Sequence, residues 1–183
     1  MQQRIGAGLT LDQFRDHVAR GVARHVGLPE SIDMLAAGLG WQLYKVSESI
    51  DPIVADDWVR TPYLTVAPGQ VRGLCQVAQG WMHGREVLNL TWQTAVGARD
   101  TYDAIQIDAT PPVDLVIRGG LHGDQAAAAL LLHAIPRVLA APPGLTTVLA
   151  LPPIHYQPRP EPDPNRASNG LHADWRLAKE YSR

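Results

Sequence analysis

The side chains in this sequence most suited to chemistry are histidines, and their spacing argues against a metal site. His17, His25, His83, His122, His133, His155 and His172 are scattered, with no HxxxH, HxH or His/Cys pair at ligand spacing. A zinc site needs three or four donors converging from short, regular spacings. No Gly-x-Ser-x-Gly elbow is present, and the single cysteine, Cys75, lies in an alternating apolar run with no nucleophile motif around it. A buried structural thiol is the expectation there. Hydrolase and metal-dependent chemistry find no support in these residues.

Two turns do collect polar groups that a ligand could meet. In Gly119-Gly120-Leu121-His122-Gly123-Asp124 a strand gives way to two glycines, a histidine and a carboxylate at the start of a helix. Free backbone N–H groups at such an end can hold an anion or a polar ligand. Asp124 can equally cap its own helix, with the glycines permitting a tight turn. The pattern is not a dinucleotide fingerprint, because GxGxxG is not satisfied and no βαβ unit with a later acidic residue follows. Gly120, His122 and Asp124 are the candidate ligand-facing residues here.

The second turn is His25-Val26-Gly27-Leu28-Pro29-Glu30-Ser31. As structure, Gly27 closes one helix and Pro29 opens the next. As function, His25, Glu30 and Ser31 crowd polar groups beside apolar faces. Trp81 and Trp92 read first as sheet core, and Trp92 is retained as a candidate wall of a substrate site.

The elements that must position these turns follow from periodicity. Thr10 with Gln13 has the form of a capping box, followed by Leu11, Phe14, Val18 and Val22 at helical spacing. That helix is expected to run on to Gly27, and a second carries Ile32, Met34, Leu35 and Leu39, with Gly38 and Gly40 ending it. From Trp41 the period becomes two, with Pro52 marking an edge or a break. A short Pro-flanked strand follows at 61–66. The clearest hairpin spans 70–95 around His83-Gly84, with Leu88, Leu90 and Trp92 on one face. Strands are expected at 102–109 and 113–117, then a helix at 125–135. That helix is apolar nearly all round and is expected to be buried in the domain or against another subunit. Pro136 should kink or restart it. The expected class is α+β, a mixed, mainly antiparallel sheet with helices packed on one face. Residues 1–156 form the domain. Residues 157–183 read as a Pro-rich tail, its end either a short helix or disordered chain.

Composition narrows the function classes. The chain has 183 residues, 45% hydrophobic and 19% charged, with a formal charge of −2, so it can build a core. It offers no electrostatic reason to bind nucleic acid or an anionic membrane. No apolar run approaches a membrane span, and the N-terminus has no signal-peptide core. A soluble, cytoplasmic protein is expected.

Several stretches together resemble one family. They are Gln3-Arg4-Ile5-Gly6-Ala7-Gly8-Leu9-Thr10, the His25 to Ser31 turn, Arg60-Thr61-Pro62-Tyr63-Leu64-Thr65-Val66 and Gly69-Gln70-Val71. The Gly119 to Asp124 turn, Ala134-Ile135-Pro136-Arg137-Val138-Leu139 and Ala141-Pro142-Pro143-Gly144-Leu145 continue the series. In order and over roughly residues 3–155, they resemble the C-terminal domain of 2,4-diaminopentanoate dehydrogenase and the native amine dehydrogenases, in the dihydrodipicolinate reductase-like group.

The resemblance implies a domain that forms the oligomer and closes the substrate cleft of an NAD(P)-dependent enzyme interconverting small amines with ketones plus ammonia. It implies cleft-facing roles for the turns holding His25 and His122. The chain departs from the family in lacking the Rossmann domain, and with it the cofactor site and the principal acid/base carboxylate. His133 stands where a smaller polar residue is expected. The lysine-bearing, histidine-rich motif of true dihydrodipicolinate reductases is absent. The catalytic residues are left open: the domain is expected not to be catalytic alone, against a further reading as an autonomous enzyme using the Gly119 turn and a histidine. NAD or NADP is expected only with a Rossmann domain supplied in trans, alongside a homo-oligomeric partner and a small amine or ketone ligand. The alternative is a stand-alone ligand-binding or scaffold module that reuses the fold without redox activity.

Overall fold

The computed structural model describes residues 2–155; the Pro-rich stretch from 157 and its candidate terminal helix lie outside them. After a short 3-10 turn at Gln2–Ile5, helix α1 (Leu11–Ala19) starts on the expected capping box. Thr10 N–H donates to Gln13 Oε1 at 3.0 Å, and Gln13 N–H donates to Thr10 Oγ1 at 3.3 Å. The helix stops earlier than its apolar spacing suggests. Gly21 takes φ of 69°, and the N–H groups of Val22 and Ala23 both turn back to the His17 carbonyl. A left-handed glycine satisfies the last carbonyls and ends the helix, so Val22 lies outside it. Gly27 consequently opens helix α2 (Gly27–Leu39) rather than closing α1.

The sheet follows. Strand β1 (Lys45–Val54) begins at Lys45 rather than Trp41 and passes through Pro52 without a break, which an edge strand permits. Two short strands, β2 (Val59–Arg60) and β3 (Thr65–Val66), pair with each other. Strands β4 (Val71–Met82) and β5 (Arg85–Ala95) form the long hairpin, turning at His83 and Gly84 with φ of 51° and 77°. Two consecutive left-handed residues are what a two-residue hairpin turn requires. The order is β1-β4-β5, antiparallel throughout.

Leu74, Gln76, Ala78 and Gly80 of β4 are buried, while Cys75 on the opposite face is only half-buried. Helix α2 lies directly on this face. A Cβ at Gly80 would come within 2.9 Å of Leu43 and 3.1 Å of Ile32, so only glycine lets the helix sit so close. Phe14, Val66, Val71 and Leu74 anchor the core, with Trp92 packed at its margin. The class is α+β, with α1 and α2 beside one sheet.

Beyond residue 97 the architecture changes. Strands β6 (Tyr102–Ile107) and β7 (Val113–Arg118) pair only with each other among the described residues. Helix α3 (Gly123–Ala140) then continues past Pro136 rather than restarting there. Pro136 removes one backbone donor, and the Arg137 guanidinium donates to the His133 carbonyl at 3.2 Å in the same turn, which supports the helix where proline weakens it. The expectation that α3 is buried within the domain is not met: Leu131 is 71% and Leu139 81% exposed. No helix among the described residues is long and apolar enough to cross a membrane.

Candidate functional site

Strand β4 places one polar side chain on its buried face, Gln76, which has no accessible surface. A buried amide must satisfy one acceptor oxygen and two N–H donors. Its Oε1 accepts the His25 N–H at 2.6 Å, and its Nε2 donates to the His25 carbonyl at 2.9 Å and to Glu48 Oε1 on β1. The other Glu48 oxygen accepts from Arg24 Nη2 at 2.9 Å. Since Arg24 precedes His25, the contacts close a ring: Arg24, Glu48, Gln76, His25. The amide acts as a one-residue strand, fixing the backbone between α1 and α2 where no regular element could.

That clamp sets the place of the His25 side chain. Its imidazole meets the Trp92 indole with centroids 5.0 Å apart and planes inclined by 59°, an aromatic pair within the favourable range. Trp92 reaches this position because it is the cross-strand partner of Gln76. On the other side, a Cβ at Gly27 would come within 3.3 Å of His25 Cε1. The result is an exposed imidazole resting on a half-buried indole, held from behind by a buried amide.

The neighbouring candidates divide. Glu30 is exposed in the first turn of α2, where a carboxylate suits the helix dipole. Ser31 Oγ donates to the Gly27 carbonyl at 2.8 Å, so its hydroxyl is engaged within its own helix.

The second turn is organised by a residue the sequence did not single out. Asp103 Oδ2 accepts the Leu121 N–H at 2.7 Å, and a Cβ at Gly120 would lie 3.6 Å from the same oxygen. Thr101 clasps the turn from both sides: Gly119 N–H donates to the Thr101 carbonyl at 2.7 Å, and Thr101 Oγ1 donates to the Gly119 carbonyl at 3.0 Å. His122 is the N-cap residue of α3 but makes no side-chain cap, and Asp124 sits exposed in the first turn instead of capping it. The Leu121 N–H is already spent on a carboxylate, and the Asp103 charge would repel a phosphate.

The same carboxylate disfavours a dinucleotide phosphate at this turn. Nor do three or more His, Cys, Asp or Glu side chains converge on a metal position among the described residues. An open groove of about 820 Å³ does run along β5, with Trp92 on one wall and Asp103 on the other. Neither His25 nor His122 lines it. The structure thus joins His25 to Trp92 and groups Gly120 with Asp103, without bringing His25 and His122 into one described cavity.

Comparison with known proteins matches this architecture to a defined family. The model of the 2,4-diaminopentanoate dehydrogenase C-terminal domain covers residues 1–157. The chain belongs to that family. It is 30% identical over 153 residues to the 2,4-diaminopentanoate dehydrogenase of Acetoanaerobium sticklandii, across 80% of this chain and 43% of the relative. In three dimensions it superposes on the amine dehydrogenase of Mycobacterium smegmatis with a TM-score of 0.72 at 22% identity, covering 85% of this chain and 47% of the other. The latter likeness shows the fold. The chain spans less than half the length of either relative.

Proposed function

We propose that this chain is the substrate-side and oligomerisation domain of an NAD(P)-dependent amine dehydrogenase-like oxidoreductase acting in the cytoplasm. On this reading the cofactor is bound by a Rossmann-type domain, and the domain described here contributes walls of the cleft for a small amine or ketone. The observation that carries the reading is the His25–Trp92 pair, held by Gln76 inside the family motif running from His25 to Ser31. An exposed imidazole on an apolar indole offers one hydrogen-bonding group beside one hydrophobic surface, which suits a small ligand with a polar head and a short carbon chain. Glu30 and Ser31 belong to the same wall through the start of α2. Gly120, His122 and Asp124 form the second wall, their turn braced by Asp103.

The test is reconstitution. The full chain alone should show no NADH or NADPH binding by titration calorimetry. Mixed with the cofactor-binding half of a family member, it should support amine-dependent formation of reduced cofactor. His25→Ala and Trp92→Ala should each raise KM at least about tenfold, the loss of roughly 1.4 kcal/mol of binding. Tight NADH binding by the isolated chain, or turnover indifferent to both substitutions, would overturn the proposal.

A further inference from the structure

We propose that Glu48 is a positioning residue of the His25–Trp92 site: through Gln76 and Arg24 it sets where the imidazole stands for the amine or ketone, and it touches neither. What the imidazole meets rests on the reading above. That Glu48 places it does not.

The register of the sheet makes Glu48 an anomaly. Across the β1–β4 ladder Val46 faces Gly80, Glu48 faces Ala78, Ile50 faces Gln76 and Pro52 faces Leu74. Residues directly opposite in a ladder share a face of the sheet. These four β1 residues therefore lie on the face that carries Leu74, Gln76, Ala78 and Gly80, beneath the helices. An alternating strand puts apolar side chains there, and Glu48 is the only charged residue of the four. Its side chain is 22% exposed, although the residue as a whole lies open along the edge strand. A carboxylate so placed costs free energy unless it is paired and hydrogen-bonded.

Its contacts give the placement a purpose. Ala78, directly opposite and fully buried, offers only a methyl group, which leaves Glu48 free to reach its diagonal neighbour Gln76. One carboxylate oxygen accepts the Nε2 proton that remains after Gln76 has bonded the His25 carbonyl, and the other accepts from Arg24 Nη2 at 2.9 Å. One carboxylate thus holds two consecutive residues, Arg24 by its side chain and His25 by its backbone through the amide. Ala23 before them is fully buried. Three anchored residues in a row leave the chain little freedom to rotate the imidazole off the Trp92 indole, 5.0 Å away. Stability alone is a poor reason for this ion pair. Arg24 uses one nitrogen of its fork on Glu48, and its buried Nε finds no partner among the described residues, where a pair built for strength is bidentate.

Nuclear magnetic resonance on the full chain reads the placement directly. The indole ring current should displace the His25 imidazole resonances, and Trp92→Leu supplies the undisplaced reference. Glu48→Gln keeps the shape and an acceptor for Gln76 but removes the charge that holds Arg24, so it should lose most of that displacement. Arg24→Met should do the same. Arg24→Lys should retain it, because a single donor with its charge suffices where the fork is not used. In the enzyme reconstituted with a cofactor-binding half, Glu48→Gln should raise KM about tenfold with kcat little changed, the worth of one hydrogen bond to a charged group. In a His25→Ala background the same change should leave KM unmoved, since Glu48 acts only through His25. His25 resonances unmoved in both Glu48→Gln and Arg24→Met, or a KM effect that persists without His25, would overturn the proposal. A reconstituted wild type that turns over no amine would end the amine reading alone, and the resonances would then uphold or overturn the placement by Glu48.

Discussion

The two halves of the described chain solve different problems. Among the described residues, all of the buried apolar ones lie from Ile5 to Val96, whereas after residue 97 the only buried one is Arg137. The first half therefore folds around its own core and uses it to fix a functional turn, down to a fully satisfied glutamine beneath His25. The second half forms regular elements whose apolar faces find no cover within the described residues. One region holds a site in place and the other offers surface to something else.

Four substitutions break or sharpen that comparison. The largest effect should come from Phe14→Ala, since Phe14 is 1% exposed and seated on Gly6. Urea unfolding should show a loss of about 4 kcal/mol. Next is Gln76→Leu, which strands the His25 N–H and carbonyl together with a partly buried Glu48 carboxylate. Chemical denaturation should report a loss of about 2–3 kcal/mol. In the reconstituted enzyme the same change should move KM more than kcat, because it loosens a wall rather than a reacting group. Thr10→Ala should cost about 1 kcal/mol, the usual value of an N-cap. Leu131→Ala on α3 should change stability by less than about 0.5 kcal/mol under dilute, monomeric conditions. A loss above about 2 kcal/mol there would mean that α3 is already buried, and the contrast between the halves would fail.

Local chemistry was legible and long-range chemistry was not. The capping box at Thr10 and Gln13 and the turn at His83-Gly84 are read from neighbouring residues, and both stand as expected. The end of α1 was misplaced because Val22 keeps helical spacing, while Gly21 in a left-handed conformation overrides it. The family motif around His25 was visible, but its anchor was not. Gln76 looks like one more polar residue in an alternating strand, and nothing local shows that it meets a backbone segment 51 positions earlier. Asp103 escaped notice for the same reason, bracing a turn 18 residues away. Helix α3 was read as buried from its all-round apolarity, a property that fixes the need for cover but not where cover comes from.

The most direct test of the contrast between the halves is amide hydrogen exchange on the full chain at two protein concentrations, about 1 μM and about 100 μM, on either side of the range in which standard interfaces form. Amides of β4 and α2 should exchange slowly and equally at both, because their protection comes from the chain's own core. Those of β6, β7 and α3 should exchange quickly at the low concentration and gain protection at the high one. Slow, concentration-independent exchange throughout β6, β7 and α3 would show that the second half needs no partner, and would contradict the account.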